Sequence, residues 1–262
     1  MPLEFSANLG FLWNTLPLIK AMGLAKSAGF AAVELHWPYA TPAGDVWAAS
    51  QAMALPILSL NTDRGAAGEF GLCALPHRNN QARASIDQAL TYGAAIGAAS
   101  VHVMAGNATG PAAHNCFLEN LRYASGQAAP LGIQILIEPL NAHDAPHYFL
   151  RTTDQAIAII ETLNLGNLKL MFDCYHVART EGDVLRRLHD LWPMIGHIQC
   201  AGVPDRGPLH ISTLDYRQVF QTIENLGPTM PIGAEYICPA TAVADSLEWM
   251  PNHPTDTYID LP

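Results

Sequence analysis

Apolar residues in this chain fall into short runs separated by longer mixed stretches. Eight runs read as strands: 5–11 (FSANLGF), 31–37 (AAVELHW), 56–62 (PILSLNT), 100–106 (SVHVMAG), 133–139 (IQILIEP), 168–174 (LKLMFDC), 195–201 (IGHIQCA) and 231–237 (PIGAEYI). Several are nearly continuous in apolar residues, as strands buried on both faces are. Between most of them the pattern changes to a helical period. The stretch 17–30 puts Leu18, Met22, Ala25 and Ala28 on one face, and 81–97 does the same with Ile86, Leu90 and Ile96. Similar stretches run over 117–132, 152–166, 183–193 and 214–227, several ending in the glycine that favours a helix stop.

Strand and helix in regular alternation predict a parallel sheet covered by helices. With eight strands in a chain of 262 residues, a single closed (β/α)₈ TIM barrel is the expected fold. No low-complexity tract or linker divides the chain, so the barrel domain is expected over 1–249. A polar, proline-rich tail is expected over 250–262. The longest irregular stretch, 61–80, follows the third strand and reads as a functional loop.

Composition narrows the partners. Thirteen Lys+Arg stand against 23 Asp+Glu, a formal net charge of −10, and no basic cluster is dense enough to track a phosphate backbone. Nucleic acid is therefore not expected as a partner. No apolar stretch is long enough to span a membrane, and the first residues lack the pattern of a secretory signal. The five cysteines are scattered, with no CxxC pair, which predicts a reduced, cytoplasmic protein.

A barrel of this kind carries its chemistry at the C-terminal ends of its strands. The fifth strand ends on Glu138, the sixth on Asp173, the seventh carries Gln199 and the eighth ends on Glu235. Each is about one strand–helix unit from the next. Side-chain oxygens from four neighbouring strands suit a hard or borderline divalent cation, Mg²⁺ or Mn²⁺ first. A lone strand-end carboxylate more often caps the next helix; four polar groups in matched places, three of them carboxylates, make unpaired burial too costly for that reading. His102, His176 and His197 lie near the same ends, where a histidine can equally be a core residue bonded to a carbonyl. Asn141, His143 and Asp144 follow the fifth strand, where turn chemistry is the plain reading, with Asn141 also a candidate for substrate contact.

An ordered set of motifs supports a more specific assignment: ANLGFL (7–12), AGFAAVELHWPY (28–39), AAGEFGLCALPHR (66–78), VHVMAGN (101–107), IEPLN (137–141), PHYFL (146–150), FDCYH (172–176), GHIQCAGVPDR (196–206) and AEY (234–236). On these the chain resembles the hydroxypyruvate isomerase family within the xylose isomerase-like TIM barrels. It is also similar to the 2-oxo-tetronate isomerases, in GEFGLCALP and PHY. The resemblance implies a metal held by Glu138, Asp173, Gln199 and Glu235, with Glu138 and Glu235 doubling as the acid/base pair. It places His102, His176 and Arg206 against the substrate or behind its contacts. It implies isomerisation of a small hydroxy-oxo acid, hydroxypyruvate to tartronate semialdehyde first, through an enediolate. A homo-oligomer is compatible with it. The chain departs from the family pattern at Pro208 and Thr213, where glutamates are usual, and around Cys238 in EYICPA.

Other classes fit less well. A 2-oxo-tetronate isomerase or a ketose 3-epimerase would use the same site. A nuclease of the endonuclease IV type needs a basic groove and more metal ligands. A Schiff-base aldolase needs a lysine at a strand's C-terminal end, but Lys169 starts the sixth run. A relative without catalysis would have little reason to keep four costly polar groups.

Overall fold

In a computed structural model, which describes residues 3–227 and 230–250, the eight apolar runs close into a parallel barrel. The strands are β1 (Phe5–Asn8), β2 (Ala32–Glu34), β3 (Ile57–Asn61), β4 (Ser100–His102), β5 (Gln134–Ile137), β6 (Leu168–Asp173), β7 (Ile195–Cys200) and β8 (Ile232–Ala234). They pair in chain order, and β8 returns to β1 with Phe5 opposite Ile232 and Ala7 opposite Ala234. The expected (β/α)₈ barrel is the observed fold. Each strand lies inside its expected run and stops before the run's last residue.

Helices α1 (Leu18–Ser27), α2 (Ala43–Met53), α3 (Asn79–Ile96), α4 (Gly110–Ala128) and α5 (Thr153–Leu163) connect the first six strands. Then come α6 (Cys174–Thr180) and α7 (Val184–Leu191) between β6 and β7, and α8 (Tyr216–Leu226) before β8. Local chemistry sets several ends. Thr152 and Asp215 accept backbone N–H groups at the starts of α5 and α8, and α3 stops at Gly97 with φ 70°. After β8, the described chain forms two short 3₁₀ turns, Ala240–Ala242 and Asp245–Leu247. Trp249 then packs edge-on against Phe5, 4.9 Å between ring centres, at the N-terminal end of β1. The expected polar tail lies, from residue 251 on, outside the described residues. Among the described residues no helix is long and apolar enough to cross a membrane, and all five cysteines are free and buried.

The strands are almost wholly buried, consistent with a sheet covered on its outer side by helices and filled on its inner side. Polar residues two apart on a strand share a face. Ser6 and Asn8 on β1, Ser100 and His102 on β4, and His197 and Gln199 on β7 are all buried in this way. The polar interior is concentrated toward the strands' C-terminal ends.

Candidate active site

Four side chains meet the barrel mouth from consecutive strands. Glu138 directly follows β5, Asp173 ends β6, Gln199 sits near the end of β7, and Glu235 directly follows β8. Asp173 and Gln199 are register partners, so both leave the sheet on the same side. None of the four is more than 5% exposed.

Their surroundings differ sharply. Glu235 is gripped on both oxygens. Asn8 Nδ2 donates to Oε1 at 2.9 Å, His36 Nε2 lies 3.0 Å from the same oxygen, and Arg206 Nη2 donates to Oε2 at 2.7 Å. Burial pushes this carboxyl up, but Arg206 and His36 outweigh it and hold Glu235 down at about 2. Glu138 has no such donors. Burial, together with the charges of Glu235 and Asp173, raises its carboxyl well above the usual range. Asp173 accepts the Tyr175 N–H on Oδ1 at 2.8 Å. Burial still lifts it to about 7, against the opposing charge of Arg206.

Arg206 comes from the loop after β7, with its backbone in the left-handed region at φ 54°. Its guanidinium lies 4.5 Å from the centre of the Phe11 ring and 5.3 Å from that of Tyr175. Besides Glu235, it lies 3.7 Å from Asp173 Oδ2 and 3.6 Å from Asp144 Oδ2. One guanidinium therefore faces several carboxylates, and negative charge is in surplus.

Two buried imidazoles stay neutral. Burial lowers His102 to about 4 and lowers His176 well below its ordinary value. The tautomer of His176 is dictated by its neighbour. The backbone N–H of Asn141 can only donate, and it points at Nδ1 at 3.0 Å. The proton of the neutral ring therefore sits on Nε2. That atom lies 3.6 Å from Asp173 Oδ2 and 3.8 Å from Glu138 Oε1. Glu138, Asp173 and His176 have potential ligand atoms within 4.8 Å of one another, but His176 offers this cluster a proton and not a lone pair.

Among the described residues, Glu138 Oε1, Asp173 Oδ2 and Gln199 Oε1 are buried acceptors with no hydrogen-bond partner. Leaving such atoms unpaired costs about 1–3 kcal/mol each. Three orphaned oxygens amid surplus negative charge fit a hard divalent cation.

Of the residues singled out in the sequence, Glu138, Asp173 and His176 cluster, His102 Nδ1 lies 3.7 Å from Glu138 Oε2, and Arg206 reaches Asp173 and Glu235. Asn141 is fully buried, and its amide faces His176 Nδ1 at 2.7 Å and Asp144 Oδ2 at 3.2 Å. Asn8 and His36, which grip Glu235, were not expected at the site. The signal for them was the alternation of polar residues in β1 and just after β2, with His36 two positions beyond Glu34. A cleft of about 280 Å³ lined by Leu9, Gly10, Leu35, His36 and Trp37 opens beside the cluster, and His36 is its link to Glu235.

The family model described as xylose isomerase-like TIM barrel matches residues 22–253. A protein of Cupriavidus necator named 2-oxo-tetronate isomerase is 39% identical over 94% of this chain and 97% of its own. A Mus musculus protein provisionally named hydroxypyruvate isomerase is 36% identical over 95% of this chain and 94% of its own. A crystal structure from Brucella melitensis titled AP endonuclease, family 2, superposes with a TM-score of 0.90 at 32% identity, covering 97% of this chain and all of that one.

Proposed function

From a chain that belongs to the xylose isomerase-like TIM barrel family and is an isomerase, we propose a metal-assisted isomerase of three- or four-carbon hydroxy-oxo acids. Hydroxypyruvate and 2-oxo-tetronate are the leading substrates, and the 39% identity to a 2-oxo-tetronate isomerase favours the four-carbon acid. The observation that carries this reading is the set of orphaned, buried oxygens on Glu138, Asp173 and Gln199 beside the ionised Glu235.

Glu138, Asp173, Gln199 and Glu235 would hold the ion. When bound, a divalent cation supplies Lewis-acid charge that acidifies the carbon-bound proton next to a carbonyl. The rest falls to the chain itself. One of Glu138 and Glu235 would take a proton from carbon as its carboxylate, and the other, carrying a proton, would return one to the neighbouring carbon. Glu235 would act through an oxygen shared with His36 or Arg206. A proton leaves one carbon and a proton arrives on the next, while the hydroxyl proton passes from the first carbon's oxygen to the former carbonyl oxygen, which interconverts hydroxy-ketone and hydroxy-aldehyde through an enediolate. The His176 Nε2–H and the Arg206 guanidinium are donors suited to the charge that grows on the substrate oxygens as the proton departs. Asn141 keeps the His176 proton on that side.

A panel of hydroxypyruvate, 2-oxo-tetronate and C5–C6 ketoses, assayed with Mg²⁺ or Mn²⁺ and again with EDTA, tests the reading. EDTA-sensitive turnover of a C3 or C4 acid supports it. Turnover confined to ketoses moves the assignment to a 3-epimerase. The Brucella melitensis title calls for one further arm, cleavage of abasic-site DNA. Against that outcome stand the net charge of −10 and the pairing of Arg186 with Asp183 and of Arg187 with Asp154 and Glu181.

A further inference from the structure

Beneath the strand-end carboxylates lies one more acid, Glu34 of β2, which is completely buried. Two donors hold it, and a buried imidazole lies beside it. Ser6 Oγ donates to Oε1 at 2.6 Å, Gln199 Nε2 donates to Oε2 at 2.7 Å, and His197 Nε2 lies 3.0 Å from that same oxygen. The Gln199 contact has a directional consequence. A glutamine amide ends in one acceptor and one donor group, and a carboxylate can only accept. With Nε2 bound to Glu34, Oε1 is forced onto the other branch, and Oε1 is the buried acceptor with no partner.

The barrel makes room for this pair. A Cβ at Gly233, the register partner of Gln199 on β8, would come within 2.2 Å of Glu34 Oε1 and 2.8 Å of Gln199 Cγ. Gly233 is not among the positive-φ glycines. Close approach of the two side chains, not backbone conformation, is what requires glycine there.

We propose that Glu34 is a positioning residue for Gln199: it holds the amide nitrogen so that Oε1 is presented to the cation. The proposal rests on the metal reading above. Without Glu34, the amide can rotate and offer its NH₂ toward the ion, which repels it. Partners of this kind, standing behind a ligand, typically change metal affinity about 10- to 100-fold when removed.

The test is Mn²⁺ binding to the apo-protein by isothermal titration calorimetry, with no substrate present. Glu34→Met keeps the volume but removes the acceptor, and is expected to weaken Mn²⁺ binding about 10- to 100-fold. Glu34→Gln keeps an acceptor and is expected to stay within a few-fold of wild type. In a Gln199→Ala background, Glu34→Met is expected to add nothing, because the group it positions is gone. If Glu34→Met does not fold, Ser6→Ala loosens the same carboxylate and is read against Gln199→Ala in the same way. Unchanged affinity in Glu34→Met, or losses that multiply independently with Gln199→Ala, would overturn the proposal while leaving the metal reading intact. Wild-type protein that binds no Mn²⁺ would overturn the metal reading and this proposal with it.

Discussion

Glu138 and Glu235 are the same amino acid, both buried, at matched ends of β5 and β8, yet their carboxyls are driven in opposite directions. Hydrogen-bond donors make the difference: Asn8, His36 and Arg206 around Glu235, none on Glu138 Oε1. Replacing either by Gln should lower kcat about 10²- to 10⁴-fold in the isomerase assay, the range expected for loss of a general acid or base. The raised carboxyl of Asp173 makes a separate prediction for the metal-free protein. A folded value of about 7 against an ordinary 3.8 gives a contribution present below pH 4 and lost as pH climbs through about 7. Urea unfolding of the EDTA-treated protein should therefore show lower stability at pH 8 than at pH 5, by an amount on the order of a few kcal/mol. Asp173→Asn should flatten that slope. The carboxylates were legible in the sequence because each interrupts an apolar run. Asn8 and His36 were harder to read, because polar alternation puts them on the inner face without saying which group they meet there.

At the level of elements, all eight strands were legible, since short branched apolar runs bounded by turn residues suit a strand buried on two faces better than a helix. Helix α2 was not. Its sequence, AGDVWAASQAM, buries only Val46, Ala49 and Ser50, too small a stripe to stand out by period. Helix α4 starts seven residues before its expected start, at Gly110, because its first turns offer the core only the small Ala113 and Cys116. The long connection over 61–80 is pinned to the end of β4. Gly71 pairs with Ala105 in an antiparallel bridge, and a Cβ on Gly106, at φ 93°, would meet Gly71 O at 2.3 Å. Gly106→Ala should destabilise the protein by at least about 1–3 kcal/mol in a denaturant titration, since it combines a strained backbone with a backbone clash.

For the whole molecule, the closed barrel has no free sheet edge, and its polar interior collects at one end. A cation held there as proposed would join residues at the ends of β5, β6, β7 and β8, and its binding energy would become folding energy. Mn²⁺ at 100 times its dissociation constant should add about 2.7 kcal/mol, raising Tm by roughly 5–10 °C in differential scanning fluorimetry, and EDTA should reverse the shift. Two ion pairs in this molecule have the same 2.7 Å separation but opposite settings. Arg186 and Asp183 are each more than half exposed, whereas Arg206 and Glu235 are 14% and 6% exposed, with Phe11 and Tyr175 flanking the guanidinium. Ionic strength will tell them apart. In molar salt, where screening acts within about 3 Å, the surface pair fades while the enclosed one barely responds. Glu235 should then ionise at the same pH in brine as in dilute buffer.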